Sequence, residues 1–268
     1  MKRSVRDHQV REHVRNHYRQ LAIQQTGTGS CCAPASCCTD PNIDVDRISS
    51  KLGYSEDELA QAPEGANLGL GCGNPQAIAS LRPGEIVLDL GSGGGFDCIL
   101  AARQVGEHGK VIGVDMTPEM ISRARNNAAQ GGFANTEFRL GEIEHLPVAD
   151  ESVDVVISNC VINLSPDKQQ VFSEAYRVLK PGGRLAVFDI VTTATLPETI
   201  RQDWGLLAGC VAGASSIEEL QAMMTNSGFR EISIQPKEAS RTFIREWAPG
   251  ANIEDYVVSA AIFASKPS

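Results

Sequence analysis

A glycine-rich segment, VLDLGSGGGFDC at residues 87–98, has the composition of a loop that binds a nucleotide-like ligand. It follows an apolar run typical of a buried strand and precedes a helical pattern, the context that such loops require. Its alternating glycines, which permit a tight turn and close approach of a ligand, are Gly91, Gly93 and Gly95. Asp89 gives the pattern D-x-G-x-G-x-G. Because Phe96 replaces the last glycine of a dinucleotide fingerprint, the loop disfavours NAD and fits a ligand without pyrophosphate.

Polar residues also follow the next two predicted strands. Asp115 ends the second strand, 24 residues after Gly91, where a carboxylate can accept hydrogen bonds from both ribose hydroxyls. Met116 could lie against an adenine face, and Glu142, after the third strand, could accept the adenine amino group. The carboxyl ends of parallel strands share one edge of the sheet, so these residues should converge there. The predicted cofactor contacts are Asp89, Gly91, Ser92, Gly93, Asp115, Met116, Glu142, Ile143 and Asn159.

Three of the eight cysteines occupy positions from which their thiols could reach the same edge. Cys160 directly follows the fourth predicted strand, and Cys210 lies in the segment after the fifth. Cys72 lies between two glycines, in a loop that can fold across the opening. Three converging thiolates favour a soft, three-coordinate ligand such as a thiophilic metalloid. Zinc is disfavoured because a structural zinc site normally has a fourth ligand, and C-x-x-C spacing is absent from these positions.

The remaining cysteines have less specific interpretations. Cys98 falls in the first turns of a predicted helix, where simple packing is expected of a small apolar side chain. Two adjacent pairs, Cys31-Cys32 and Cys37-Cys38, lie in a loop of small residues. A disulfide between adjacent cysteines is strained. The pairs could capture a metalloid, exchange disulfides with Cys72, or be dispensable.

The elements that must position these residues are read from hydrophobic periodicity. Alternating strands and helices with nearly continuous apolar strands predict a buried, mostly parallel sheet in a doubly wound α/β fold. The predicted strands are 86–90, 111–115, 136–140, 153–158, 184–190, 230–236 and 256–265. The predicted helices are 8–22, 55–62, 96–105, 117–130, 167–179 and 217–227. The 55–62 helix has a capping box formed by Ser55 and Glu58.

This pattern divides the chain into three parts. Residues 1–53 hold an amphipathic N-terminal helix, which should dock on the main body, and the cysteine-rich loop. Residues 54–190 form the cofactor-binding core. Residues 191–268 contain a helical insertion, at about 191–215, followed by the strands that complete the sheet.

Composition limits the partners. A net charge of −9 argues against nucleic acid, because binding to phosphate backbones needs clustered Lys and Arg. The longest apolar stretch, at 257–264, is far shorter than the roughly 20 residues that cross a bilayer, so no membrane span is expected. The N-terminus lacks the apolar region of a secretion signal. These features predict a cytoplasmic protein whose cysteines are reduced.

Several segments resemble class I S-adenosylmethionine-dependent methyltransferases. They are VLDLGSGGG, GVD, GEIEHLPV and DKQQVFSEAYRVLKPGG, which together span roughly residues 70–190. The resemblance implies S-adenosylmethionine as the cofactor and a seven-stranded, mostly parallel sheet. It leaves the methyl acceptor open.

Three cysteine-containing segments narrow the resemblance. GANLGLGCGNP, SNCVINLSPDKQQ and LLAGCVAGA look like the arsenite S-adenosylmethionine methyltransferases. The resemblance implies that Cys72, Cys160 and Cys210 hold trivalent arsenic as arsenite and then methylarsenite, for detoxification. The family carries a further cysteine in its N-terminal region, and the two cysteine pairs leave its counterpart here undecided.

The mechanism implied by the resemblance needs a co-substrate. Methylation changes the oxidation state of arsenic, so a thiol reductant such as glutathione or thioredoxin would have to restore reduced cysteines. Two alternatives are a class I methyltransferase that acts on a small organic molecule, such as a quinone precursor, and a non-catalytic soft-metal-binding protein. The first predicts no effect of thiol blocking, and the second predicts no cofactor binding.

Overall fold

The computed structural model describes residues 2–24 and 44–268 of the chain. Its strands are, in chain order, β1 (Ile86–Leu90), β2 (Lys110–Asp115), β3 (Thr136–Leu140), β4 (Val153–Asn159), β5 (Leu179–Thr192), β6 (Ser215–Ser216), β7 (Arg230–Lys237) and β8 (Val257–Ser265). Its α-helices are α1 (Lys2–Gln24), α2 (Val45–Lys51), α3 (Glu56–Gln61), α4 (Gln76–Ala79), α5 (Phe96–Val105), α6 (Pro118–Gln130), α7 (Lys168–Val178), α8 (Glu198–Arg201), α9 (Trp204–Ala208), α10 (Ile217–Ser227) and α11 (Arg241–Trp247).

The strands form one sheet in the order β3-β2-β1-β4-β5-β8-β7, and the two-residue β6 pairs with β5. Strands β1 to β5 are parallel, whereas β8 runs antiparallel to both β5 and β7. The strand order reverses between β1 and β4, where loops leave in opposite directions and open a crevice at the carboxyl edge. The doubly wound, mostly parallel prediction is confirmed, with β6 added to the seven predicted strands.

The two faces of the sheet are covered by different helices. Val87 of β1 belongs to a buried cluster with Ala101 of α5 and Ala124 of α6. The next residue, Leu88, belongs to a second cluster on the opposite face, which includes residues of α7 and α10. Successive side chains of a strand point to opposite faces, so an apolar run buried on both sides needs helices on both sides.

Strand β5 begins earlier than predicted. The sequence places its start at residue 184, whereas pairing with β4 begins at Leu179. The register shifts between Val153 and Val155, and the chain from 180 to 183 bulges out between the paired residues. Gly182 has a φ of 77° in this bulge. Helix α7 ends at Val178, close to the predicted end at 179, and the strand begins before the Pro-Gly-Gly run because a bulge keeps the pairing on both sides.

Helix α1 is longer than the predicted 8–22 segment and docks on the main body as expected. Val14 is fully buried, and the helix packs against α6 and α9. Tyr18 donates a hydrogen bond to the carbonyl of Ala208, and Arg19 pairs with Glu119 of α6 at 2.8 Å. Both apolar and polar contacts therefore hold the helix against the core.

The insertion after β5 contains two short helices, α8 and α9, with irregular chain around them. Asp203 caps α9 by accepting a hydrogen bond from the backbone N–H of Leu206. Cys210 follows at the end of α9, where its φ is 63°. The predicted capping box of Ser55 and Glu58 at the start of α3 is present.

Candidate active site

The glycine loop between β1 and α5 forms one wall of a cavity of about 460 Å³. Gly91 has a φ of 72°, and a Cβ atom there would lie 2.5 Å from a methyl group of Val161. Gly93 has a φ of 50°, and a Cβ atom there would meet no described atom within 4 Å. Gly91 therefore permits the turn, while Gly93 borders open space in which ligand atoms could lie.

Two polar groups of this wall are suited to hold a ligand. The buried Ser92 hydroxyl has no hydrogen-bond partner among the described residues. The Asp115 carboxylate accepts hydrogen bonds from the N–H groups of Gly93 at 3.0 Å and Thr117 at 2.8 Å. Burial raises the pKa of Asp115, although these two N–H groups act to lower it. An unsatisfied hydroxyl and an oriented carboxylate beside open space fit a ligand that carries its own hydroxyl and amino groups.

The cavity gathers all of the predicted cofactor contacts except one. Those that line it are Asp89, Gly91, Ser92, Gly93, Asp115, Met116, Ile143 and Asn159. Glu142 instead forms ion pairs with Arg11 at 3.4 Å and Arg15 at 3.1 Å. Its neighbour Glu144 lines the cavity and is also paired with Arg11, at 3.1 Å. The sequence did not reveal that α1 would supply arginines to this edge.

A polar cluster at the cavity was missed by sequence analysis. The Tyr54 hydroxyl donates to the Asp97 carboxylate at 2.8 Å, and the Asn159 amide donates to Tyr54 at 3.0 Å. Burial raises the pKa of Asp97 to about 6, despite hydrogen bonds from Tyr54, Asn159 and Gln76 that lower it. Asp97 lies within the recognised glycine segment, but Tyr54 comes 43 residues earlier, so no local pattern joins them.

The three predicted cysteines come together at the cavity. Their exposed fractions are 2% for Cys72, 7% for Cys160 and 2% for Cys210. Cys160 and Cys210 line this cavity. The Sγ atoms of Cys72 and Cys160 and a carboxylate oxygen of Asp189 lie within 4.8 Å of one another. The thiol of Cys210 donates a hydrogen bond to the backbone carbonyl of Cys160.

The loop that carries Cys72 is fixed at both of its backbone polar groups. The N–H of Cys72 donates to the Asn159 side chain at 3.0 Å, and Ser259 of β8 donates to the Cys72 carbonyl at 2.6 Å. The next residue, Gly73, packs so closely on the ring of Phe188 that a Cβ atom there would overlap the ring. The flexible loop expected from the sequence is thus tied to both β4 and β8.

The electrostatics of the cluster favour neutral thiols. Hydrogen bonds with Cys210 and Cys72, together with burial, raise the pKa of the Cys160 thiol well above its ordinary value. The hydrogen bond with Cys160 acts to lower the pKa of Cys210, but burial together with charge interactions with Asp189 and Cys72 outweighs it, and the pKa is raised. Burial also raises the pKa of Asp189 to about 6. Near neutral pH the thiols of Cys160 and Cys210 are therefore protonated, whereas Asp189 is mostly ionised.

Helix α1 closes one side of the cavity. Its residues Arg11, Val14 and Tyr18 are among those that line the space. The ion pair of Arg11 with the buried Glu144 ties the helix to the loop after β3. Ser165 adds a hydrogen bond to the same carboxylate at 2.7 Å. The helix is therefore part of the site as well as an arm that docks on it.

The other cysteines lie apart from this cluster or outside the described part of the chain. Cys98 is fully buried in α5, where its thiol donates to Asp89 at 3.2 Å. This position agrees with the packing role expected from the sequence. The pairs Cys31-Cys32 and Cys37-Cys38 lie outside the described residues. Among those residues, no helix is both long and apolar enough to cross a membrane.

The chain is similar to known methyltransferases in sequence. A family model described as a methyltransferase domain matches residues 81–228. The chain is 52% identical over 268 residues to the arsenite methyltransferase of Halobacterium salinarum, covering 97% of this chain and 67% of that protein. It is 39% identical over 232 residues to the arsenite methyltransferase of Aquipseudomonas alcaligenes, covering 83% of this chain and 62% of that protein. For the human arsenite methyltransferase the identity is 44% over 172 residues, covering 58% and 46%.

Solved structures show the same relationship. An arsenic(III) S-adenosylmethionine methyltransferase from Chlamydomonas reinhardtii superposes with a TM-score of 0.61 at 34% identity, covering 82% of this chain and 73% of that chain. A phosphoethanolamine N-methyltransferase from Haemonchus contortus, bound to S-adenosylmethionine, superposes with a TM-score of 0.61 at 19% identity. The match covers 84% of this chain and 60% of that chain and shows a shared fold. The chain spans between 46% and 67% of the length of the curated relatives named above. It belongs to the arsenite methyltransferase family, within the S-adenosylmethionine-dependent methyltransferases.

Proposed function

We propose that this protein transfers a methyl group to trivalent arsenic held by Cys72, Cys160 and Cys210. Arsenite is methylated first and methylarsenite second, as a means of detoxification. The observation that carries this proposal is the convergence of three buried sulfurs beside the cofactor cavity. Soft thiol ligands select a thiophilic centre, and carboxylates or imidazoles do not.

Neutral thiols suit neutral arsenite. Each As–O bond is replaced by an As–S bond, and each thiol proton leaves with the hydroxyl group as water. No net charge is created when arsenite binds. This matters because the cysteines belong to an apolar cluster with Leu164, Ile190 and other buried side chains, where an uncompensated charge would be costly.

The cofactor cavity supplies position. Bound S-adenosylmethionine provides a methyl group on a positively charged sulfur, which makes that methyl an electrophile. Asp115 and Ser92 would hold its polar groups, a role supported by the unpartnered Ser92 hydroxyl and the open space beside Gly93. Three thiolates leave the arsenic lone pair exposed, so no general base is required. Fixing two reactants in a reactive geometry can correspond to effective molarities on the order of 10⁵ M or more.

A thiol co-substrate follows from the electron balance. Methylation of the arsenic lone pair raises arsenic from the trivalent to the pentavalent state. A return to the trivalent state takes two electrons, which two thiols supply when they form a disulfide. Glutathione and thioredoxin are therefore the proposed reductants.

The thiol chemistry also supports a proposed cellular location. Cys72, Cys160 and Cys210 are unpaired cysteines, the state maintained in a reducing compartment, so we place the protein in the cytoplasm. Their positions suggest a functional division in which 1–53 brings the cysteine-rich loop and α1, 54–190 binds the cofactor, and 191–268 adds Cys210 and the last strands.

The test is direct methylation by the purified protein. The protein is incubated with labelled S-adenosylmethionine, arsenite or methylarsenite, and a thiol, and the arsenic species are then separated. We expect Cys160→Ser and Cys210→Ser to abolish the methylation of both substrates. Cys72→Ser should impair arsenite more than methylarsenite, because the monomethylated substrate needs only two thiolates.

The matched control is Cys98→Ser, which replaces a buried thiol outside the cluster and keeps a donor for Asp89. This variant should retain most of the activity on both substrates. Full activity of Cys160→Ser, or an equal loss in the control, would contradict the proposed arsenic ligands. A measurement of S-adenosylmethionine binding to each variant separates loss of the arsenic site from loss of the fold.

A further inference from the structure

A second cavity, of about 600 Å³, reaches the cysteine cluster from another direction. Cys72 lines this cavity, whereas Cys160 and Cys210 line the cofactor cavity. The two cavities have no lining residue in common within the described chain. Because Cys72 and Cys160 are neighbours, the cysteine cluster forms the boundary between the two spaces.

The second cavity has an apolar inner part and a charged rim. Phe188 and Leu52, which are both buried, and the partly buried Phe243 line its interior. Lys51 and Glu246 lie at the rim and pair with each other at 2.8 Å. The apolar interior and the charged rim thus belong to one cavity, and Cys72 is part of its lining.

Lys237 gives the rim an unbalanced positive charge. It is exposed, lines the cavity, and has no carboxylate partner in any ion pair found within residues 6–23 and 44–268. Lys51 is neutralised by Glu246, so the charge of Lys237 remains for an incoming group. A positive rim raises the local concentration of anions and speeds their encounter with the site.

We propose that this cavity is a separate port through which a small, carboxylate-bearing thiol delivers trivalent arsenic to Cys72. The proposal rests on the proposed arsenic chemistry and deepens it by naming the carrier class and its route. Lys237 attracts the carboxylates, the apolar wall accommodates the carrier's carbon chain, and Cys72 is the first acceptor. The cofactor cavity is then free to hold S-adenosylmethionine while arsenic enters from the other side.

The transfer balances as a ligand exchange. The Cys72 sulfur forms a bond to arsenic, and the bond between arsenic and the carrier sulfur breaks. The Cys72 proton leaves on the carrier, which departs as a free thiol. Arsenic stays trivalent, no electrons move, and no oxidant or reductant takes part. In a second exchange of the same kind, the adjacent Cys160 sulfur replaces another carrier sulfur on the arsenic while Cys72 stays bound, and the Cys160 proton leaves on that second carrier.

The experiment measures access to each cysteine without requiring methylation. The full chain is treated briefly with one of two disulfide reagents of similar size, the dianionic dithiobis(nitrobenzoate) or the neutral dithiodipyridine. The modified cysteines are identified by peptide mass spectrometry, with and without saturating S-adenosylhomocysteine. We expect the bound nucleoside to protect Cys160 and Cys210 by about tenfold or more and to leave the rate at Cys72 within about twofold.

Two substitutions test the port itself. Ala239→Trp fills the exposed rim, and should slow labelling of Cys72 by about fivefold or more with both reagents while leaving Cys160 unchanged. Ala239→Ser is its matched control, and Thr242→Trp is a second plug at the same rim. Thermal unfolding of each variant shows that the fold is retained.

The charge is tested by Lys237→Gln. For each protein, the rate at which the dianionic reagent labels Cys72 is divided by the rate for the neutral reagent. At low salt, Lys237→Gln should lower this ratio by about threefold or more. Arg82→Gln, which neutralises an exposed cation outside both cavities, should leave the ratio unchanged.

Three results would overturn the proposal. They are equal protection of all three cysteines by the nucleoside, unchanged Cys72 labelling in both plugged variants, and an unchanged ratio in Lys237→Gln. Because the assay reads labelling alone, a protein that failed to methylate arsenite could still possess the port. Conversely, a methylating protein could lack it.

Discussion

The thiol of Cys210 donates a hydrogen bond to the backbone carbonyl of Cys160, and both residues have left-handed backbones, with φ values of 63° and 60°. Non-glycine residues seldom adopt this conformation, and it costs roughly 1–2 kcal/mol per residue. Two of the three proposed arsenic ligands are thus held in strained turns, which aim their sulfurs into the shared site.

This strain predicts an unusual order of stability at position 160. Relative to Cys160→Ala, Cys160→Gly should be favoured, because glycine adopts a positive φ without penalty. At position 98, within α5, the order should be reversed, since glycine destabilises helices. The glycine-minus-alanine difference in unfolding free energy should therefore differ by about 2 kcal/mol between the two sites. Urea denaturation of the four variants measures it, and equal differences would show that the turn at Cys160 is unstrained.

Gly93 predicts a separation between stability and cofactor binding. Gly93→Ala places a methyl group in the cofactor space, and we expect the affinity for S-adenosylhomocysteine to fall by about tenfold or more, or about 1.4 kcal/mol. Gly84→Ala is the matched control, because Gly84 also has a positive φ and no described atom within 4 Å of its Cβ position. Both variants should lose similar stability. Calorimetric titration that gave equal affinities would place the cofactor elsewhere.

Helix α1 predicts a role for Arg11 in cofactor retention. Arg11→Met keeps the apolar stem but removes the charge that balances the buried Glu144, so the helix should pack less firmly over the cavity. We expect the affinity for S-adenosylhomocysteine to fall about three- to tenfold. Arg19→Met removes an ion pair on the same helix whose arginine is 57% exposed, and should change little. A loss of the same size in both variants would assign the effect to helix stability in general.

Asp97 predicts a pH-dependent stability. Burial raises its pKa from 3.8 to about 6, so the folded protein holds a proton that the unfolded chain releases. The stabilisation is complete below about pH 4 and is lost as the pH rises through about 6. Asp97→Asn should remove this loss, so its stability relative to the unmodified protein should rise by on the order of 2 kcal/mol from about pH 4 to about pH 7. Urea denaturation without cofactor measures this, and a constant difference across that range would contradict it.

Local patterns were sufficient to predict which polar residues lie on strands β1 and β2 and line the cavity. The apolar runs of β1 and β2 are short, buried and followed by polar residues, so the positions of Asp89 and Asp115 could be read directly. The hydrogen bond from Gly93 to Asp115 then follows from the parallel pairing of those strands. Capping residues at Ser55 also marked the correct helix start.

Contacts between distant segments could not be predicted in the same way. The sequence around Glu142 does not indicate that its carboxylate will form ion pairs with Arg11 and Arg15, because this pairing depends on where α1 docks. Cys72 appeared to lie in a mobile loop, since its glycines permit many conformations. Its attachment to Asn159 and Ser259 depends on tertiary packing of segments 87 and 187 residues away.

The hydrogen bond from Ser259 to the Cys72 carbonyl also sets an order of assembly during synthesis. Strand β8 follows every other strand in the chain, yet it lies between β5 and β7 in the sheet. A ribosome-bound chain that has passed β5 already contains the segments of the cofactor cavity around β1, β2 and β4. It cannot yet anchor Cys72 from the β8 side, so the complete cysteine site forms only after β8 leaves the exit tunnel.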